Sequence, residues 1–157
     1  MLPPYLLAER RILCHVEIAS KKRLLETLAE LLATACPTRD TGEVFERLLE
    51  RERLGGTGLG HGVALPHARI DALDQAIGAF VSVREAVDFG AIDQRPVDLA
   101  LALLVPEADA DRHVHTIGLF ATLFSDPEMR ERLRRADQSS QVLTTLLNWR
   151  EGVVTSS

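Results

Sequence analysis

Apolar residues Leu24, Leu25, Leu28, Leu31 and Leu32 recur at i, i+1, i+4, i+7 and i+8, one stripe at the 3.6-residue period. Ser20 is a good N-cap for that stripe, and Pro37 stops it, so the pattern predicts a helix between them. A second helix is predicted from Asp40, with Glu43 three residues on as in a capping box. It buries Val44, Phe45, Leu48 and Leu49 before the charged run Glu50, Arg51, Glu52, Arg53. The pattern then breaks: Gly56, Gly58, Gly60 and Gly62 alternate with other residues, which predicts a loop whose backbone can approach a ligand closely. Val63 to Pro66 is an extended run, and Pro66 restrains Leu65 to extended geometry just before His67.

Ala76 to Val83 and Val97 to Val105 are apolar runs of strand length, the second nearly continuous, as in a strand buried on both faces. Val87, Asp88 and Phe89 read as a short edge piece. After Pro106, the acidic Glu107, Asp109 and Asp111 suit the start of a helix carrying Val114, Ile117, Leu119, Phe120 and Leu123. Asp126 and Pro127 open a short helix through Arg135, and Ser139 or Ser140 caps a last one through Trp149. Helices first, then strands, then helices predict an α/β domain, a central mixed sheet of about five strands with helices on both faces. One domain is expected over residues 1–157, frayed after Glu151, with no internal repeat.

Composition narrows the function. The 18 Lys and Arg against 23 Asp and Glu give a net charge of −5, which repels nucleic acid and anionic lipid except at a local basic patch. Aromatics at 4% leave no stacking platform for single strands. Cys14 and Cys36 form no CxxC pair, so neither a disulfide scaffold nor a cysteine metal site is expected, and both read as packing residues. The opening residues carry their charges after the apolar run, unlike a signal peptide, and no apolar stretch approaches the roughly 20 residues that span a bilayer. A cytosolic location without membrane insertion is expected.

The chemistry rests on the histidines His15, His61, His67, His113 and His115. Each taken alone reads as a structural or surface residue; context separates them. His67 ends an extended run after the glycine loop and a proline, where open sheets commonly place reactive groups. His113 and His115 fall near a predicted helix start and point about 200° apart, so they cannot both face one site. A zinc pair would need that segment to be a strand, and no metal is expected. The glycine spacing matches neither GxxxxGK[ST] nor GxGxxG, so no nucleotide is expected, although successive N–H groups there suit an anion. Arg51 or Arg53, at the end of the helix feeding the loop, can reach a phosphate with a planar fork, or be a solvated helix end. Arg130, Arg132, Arg134 and Arg135 read as a solvated basic stripe.

The segment from Arg51 through Gly55, Gly56, Thr57, Gly58, Leu59, Gly60, His61 and Gly62 to Pro66, His67, Ala68 and Arg69 resembles the active-site segment of the fructose/mannitol-type enzyme IIA family of the bacterial phosphotransferase system. Phe89 to Asp98 and His113 to Thr116 are similar to two further family segments, so the resemblance runs from about Leu13 to Trp149. The run Ser20 to Arg23, the glycine loop and His113 to Thr116 resemble the nitrogen-regulatory branch, in which the domain stands apart from any permease. The resemblance implies that His67 is the phospho-acceptor, that Arg51 meets the phosphoryl group and that His113 is the second active-site histidine. From the anion-holding glycine turn, a phosphate-binding loop of Gly58, Gly60 and His61 is expected as well. His61 stands where members carry an acidic or amide residue, and Ala68 where glycine is usual.

The expected function is a phosphoryl relay that accepts phosphate on His67 from a histidine phosphocarrier protein and acts mainly as a regulator, with regulatory target proteins or a IIB domain as partner and no cofactor. Two alternatives stand: a sugar-uptake IIA donating to a separate fructose- or mannitol-type permease, and a binding module that works without phosphorylation.

Overall fold

A computed structural model describes residues 2–3, 5–108 and 110–150. One mixed sheet of six strands holds β1 (Ile12–Val16), β2 (Gly58–Gly60), β3 (Val63–Ala64), β4 (His67–Ile70), β5 (Ile77–Val87) and β6 (Val97–Pro106). The order is β1-β5-β6-β3-β2, with β4 also on β6. β5 and β6 are antiparallel, β1 runs parallel to β5, and β3 and β4 run parallel to β6 in succession. Around the sheet lie α1 (Lys21–Ala33), α2 (Thr41–Leu54), α3 (Ala110–Phe124), α4 (Pro127–Arg135) and α5 (Ser139–Asn148).

β6 shows how the core forms. Ala100, Ala102 and Leu104 face α1 and α2, while Leu99, Leu101, Leu103 and Val105 face α3, α4 and α5. All are buried, as the period of two requires of a strand covered on both sides. The helix signals are realised locally. The Ser20 side chain accepts from the Arg23 N–H at 3.1 Å, and Asp40 Oδ1 accepts from the Glu43 N–H at 2.8 Å. Glu43 itself pairs with Arg39 Nη1 at 3.1 Å.

Among the described residues the sheet has six strands, against about five expected, and it opens before the first helix. β1 is not among the predicted strands, because its pattern is only half-buried and a register shift interrupts it between Leu13 and Val16. β2 lies inside the glycine run, where the spacing predicts a loop: it pairs antiparallel with β3 through backbone groups alone, which glycine supplies as well as any residue. Val87 is the end of β5, paired with Val97, and Phe89 leaves the sheet to be buried. Val114 is 67% exposed and so leaves the buried stripe of α3. Gln138 is the N-cap of α5, and Ser139 instead donates to Ile12 O at 2.8 Å, tying that helix to β1. The predicted roles of Asp109 and of the tail after Glu151 lie outside the described residues. No helix among the described residues is long and apolar enough to cross a membrane.

Candidate active site

Pro66 lacks an N–H, and the extended chain is interrupted there into β3 and β4. On either side the chain stays pinned: Leu65 N–H donates to Thr57 O at 3.0 Å, and Pro66 O accepts from Leu103 N–H at 2.9 Å. His67 therefore enters β4 from a fixed backbone, opposite Leu103. Ala68 and Ile70 pack toward α1 and α2, so alternation sends His67 and Arg69 to the other face, that of α3.

The imidazole is oriented. His67 Nδ1 lies 2.8 Å from Leu65 O, and because a carbonyl only accepts, Nδ1 carries the proton and Nε2 keeps its lone pair. Burial pushes the His67 pKa below the ordinary histidine value; the Leu65 bond opposes this, Arg51 adds to it, Glu52 opposes it and Arg69 adds to it. The ring is held neutral, with its free nitrogen turned to a concavity of about 530 Å³ between α2, β4 and α3.

Arg51 lines that concavity from the last turn of α2. Its Nη1 donates to Gly55 O at 2.7 Å, a cation satisfying the carbonyl end of its own helix. His113 lines it from α3 and is 2% exposed. Its Nε2 lies 2.6 Å from Ala108 O, so that nitrogen is the donor. The segment is helical, and His115 is exposed, so the two histidines do not share a face. Among the described residues no three His, Cys, Asp or Glu side chains gather to hold a metal.

Gly58, Gly60 and His61 are not among the residues lining the concavity, and their backbone has other work. A Cβ built on Gly58 would lie 2.8 Å from the Ala91 side chain, so close packing of the hairpin requires glycine there. Gly60, His61 and Gly62 have φ of +90°, +56° and +80° and make the turn between β2 and β3. The His61 N–H donates to Asp93 Oδ2 at 2.8 Å, and its carbonyl accepts from Arg134 Nη2. The Asp93 carboxyl is held below its usual range by the N–H groups of His61 and Arg95.

Arg134 also pairs with Asp98, and His15 Nε2 meets Arg134 O at 2.8 Å. Arg130 is buried and donates to Phe124 O at the end of α3, whereas Arg132 pairs with Glu128 along its own helix. The expected basic stripe is thus divided among three environments. Cys14 and Cys36 are free thiols whose pKa burial raises, in keeping with packing.

Sequence reasoning passes over three residues here. Glu52, which reads as part of a charged helix end, is buried and accepts from Thr57 N–H at 2.9 Å, Thr57 Oγ1 at 2.6 Å and Lys21 Nζ at 3.0 Å. Its one sequence signal is a lone threonine five residues on, in an otherwise glycine-rich turn. Leu54, 86% exposed, and Val114 line the concavity from opposite helices and give it an apolar rim.

The family described as the phosphoenolpyruvate-dependent sugar phosphotransferase system, EIIA 2, matches residues 5–149. A nitrogen regulatory protein of Pseudomonas aeruginosa is 37% identical over 147 residues, covering 94% of this chain and 96% of that protein. The nitrogen regulatory protein of Escherichia coli K12 is 42% identical over 140 residues, 88% of this chain and 84% of that one. The crystal structure of nitrogen regulatory protein IIA-Ntr from Neisseria meningitidis superposes with a TM-score of 0.86 at 40% identity, covering 91% of this chain and 97% of that chain. With a family match along nearly its whole length and a fold shared with such a relative, this chain belongs to the EIIA 2 family of the phosphoenolpyruvate-dependent phosphotransferase system.

Proposed function

We propose that the protein accepts a phosphoryl group on His67 Nε2 from a histidine phosphocarrier protein and acts mainly as a cytosolic regulator. The observation that carries this reading is the Nδ1 bond to Leu65 O, which leaves Nε2 bare in a concavity that Arg51 also lines. A neutral, oriented imidazole nitrogen is the nucleophile such a transfer needs. The bond from phosphorus to Nε2 forms as the bond to the donor's ring nitrogen breaks, its electron pair returning to the donor ring. The Nδ1 proton stays in its bond to the Leu65 carbonyl, so no proton has to move at the acceptor.

The transition state spreads negative charge over three equatorial oxygens, and the protein's part is positioning and charge stabilisation. Arg51 supplies the fixed positive charge, and His113 walls the site from α3. The exposed apolar rim of Leu54 and Val114 suits the docking of another protein around the reacting nitrogen. A phosphoryl group adds about −1.5 to −2 charges there, by analogy with phosphoserine, enough to change which regulatory target or IIB domain docks. The nitrogen regulatory names of relatives that span nearly the whole chain support the regulatory side of this reading. Two free thiols suit a reducing compartment.

The test is intact mass after incubation with phosphoenolpyruvate, enzyme I and a histidine phosphocarrier. An acid-labile gain of one phosphoryl unit is expected in the native protein and none in His67→Ala. No gain in the native protein with active cognate carriers sinks the relay, and a gain that persists in His67→Ala moves the acceptor elsewhere, with His113 next.

A further inference from the structure

We propose that Glu52 and Thr57 are positioning residues for His67, acting through an unbroken chain of hydrogen bonds that starts at Lys21 and ends on the imidazole. Lys21 Nζ donates to Glu52 Oε1 at 3.0 Å and to Phe89 O at 3.2 Å, and lies 4.3 Å from the centre of the Phe89 ring. Glu52 uses both carboxylate oxygens on one residue, taking the Thr57 N–H at 2.9 Å and the Thr57 hydroxyl at 2.6 Å. Thr57 O then accepts from Leu65 N–H at 3.0 Å, and Leu65 O accepts from His67 Nδ1–H at 2.8 Å.

Glu52 Oε1 takes both Lys21 and the Thr57 N–H, Oε2 takes the Thr57 hydroxyl, and each later link passes through one residue to the next, so each helps to fix the next. The carboxylate side chain is only 3% exposed. With little water around it, it cannot readily exchange Thr57 for solvent, and a buried, fully bonded group of this kind holds geometry more firmly than an exposed one. The same turn also carries Gly55, whose carbonyl takes Arg51 Nη1 and whose N–H reaches Glu52 O at 3.3 Å. The buried carboxylate thus sets the ring through a glycine-rich turn that has little side-chain packing of its own to hold it, while the Glu52 backbone carbonyl anchors the Gly55 that receives the Arg51 guanidinium. Neither Glu52 nor Thr57 is among the residues lining the concavity, so neither is a catalytic residue. This inference rests on His67 as acceptor for its consequence in turnover, but not for its structural content.

The test compares Thr57→Val, Thr57→Ser and Glu52→Gln in the full chain by ¹⁵N NMR of the His67 ring, above the pH where it titrates and with no phosphocarrier present. In the native protein Nδ1 should read as protonated and Nε2 as bare. Thr57→Val and Glu52→Gln should move both signals toward the averaged mixture of a free imidazole, and Thr57→Ser, which keeps the hydroxyl, should restore the native pattern. In steady-state phosphoryl transfer, Thr57→Val should lower kcat about tenfold with KM for the phosphocarrier within about twofold, as expected when orientation and not docking is lost.

A native ring pattern in Thr57→Val, a change confined to KM, or failure of Thr57→Ser to restore the pattern overturns the proposal. If Glu52→Gln does not fold, the two Thr57 variants decide alone. If the native protein takes up no phosphate, the relay fails, while the ring pattern still decides whether Glu52 and Thr57 orient His67.

Discussion

The two ends of β3 and its flanking turns carry a histidine each, and the structure treats them in opposite ways. At the turn before β3, His61 is held by its backbone: its N–H and carbonyl are bound by Asp93 and Arg134, and its residue is exposed. Past the other end, His67 is held by its side chain, with Nδ1 on Leu65 O and the ring half-buried beside Arg51. Both segments are rich in glycine or proline and both have arginines nearby, so residue type alone does not separate them. The difference lies in which atoms the fold has spent its bonds on. Where the backbone is restrained the residue shapes a turn, and where the ring is restrained with one nitrogen left bare it fits the acceptor role proposed for His67.

That contrast can be broken at either end. The largest effect is the complete loss of phosphoryl uptake in His67→Ala, read by intact mass. Arg51→Ala should slow uptake by about a hundredfold, the scale for removing one fixed charge or donor from a transition state, while circular dichroism stays native.

At the other end the cost should fall on folding. Gly62 has φ +80°, and a Cβ built there would lie 2.5 Å from Arg134 Nη2 and 2.9 Å from Asp98 Oδ1. Gly62→Ala should therefore destabilise the fold by about 2–3 kcal/mol in urea titration, with uptake at His67 retained once the protein is folded.

A smaller effect should appear with pH. Burial lowers the folded-state pKa of His67, so between that value and the ordinary value of about 6.5 the unfolded chain binds more protons. The contribution to stability is full above about pH 6.5 and is lost as pH falls through the folded value. His67→Ala should flatten that acid limb in denaturation curves, and native uptake should stay level down to below pH 6.5. Smallest of all, His61→Ala should leave uptake within about twofold of native, since its bonds are backbone bonds that alanine keeps. A large loss there would erase the distinction between the two histidines.

Much of the site is legible in the order of residues alone. The proline ahead of His67 marks a stop in the ladder whatever the sheet around it, and helical spacing separates His113 from His115. The glycine run is legible as a special backbone but not as a strand. Gly58 packs against Ala91, which lies far along the chain, and Gly60 and Gly62 take up the left-handed turn, so part of the alternation answers to a distant contact the spacing does not show. Glu52 stays hidden for the same reason. A carboxylate in a run of charges reads as solvated, and its burial is made tolerable by Lys21, brought over from the start of α1, together with the Thr57 N–H and hydroxyl.

The sequence by itself determined the helix starts at Ser20, Asp40 and Asp126, the doubly buried strand β6, and the candidacy of His67. These follow from local rules: a side chain that caps its own helix, a period of two, a residue without an N–H. Tertiary structure alone decided that β1 lies beside β5, that the glycine run forms a strand, and that Val114 is left outside. It also decided that Glu52 is inside and that His67 keeps its proton on Nδ1. Those outcomes depend on which distant group arrives to share a hydrogen bond or exclude water, and the spacing of residues along the chain does not carry that information.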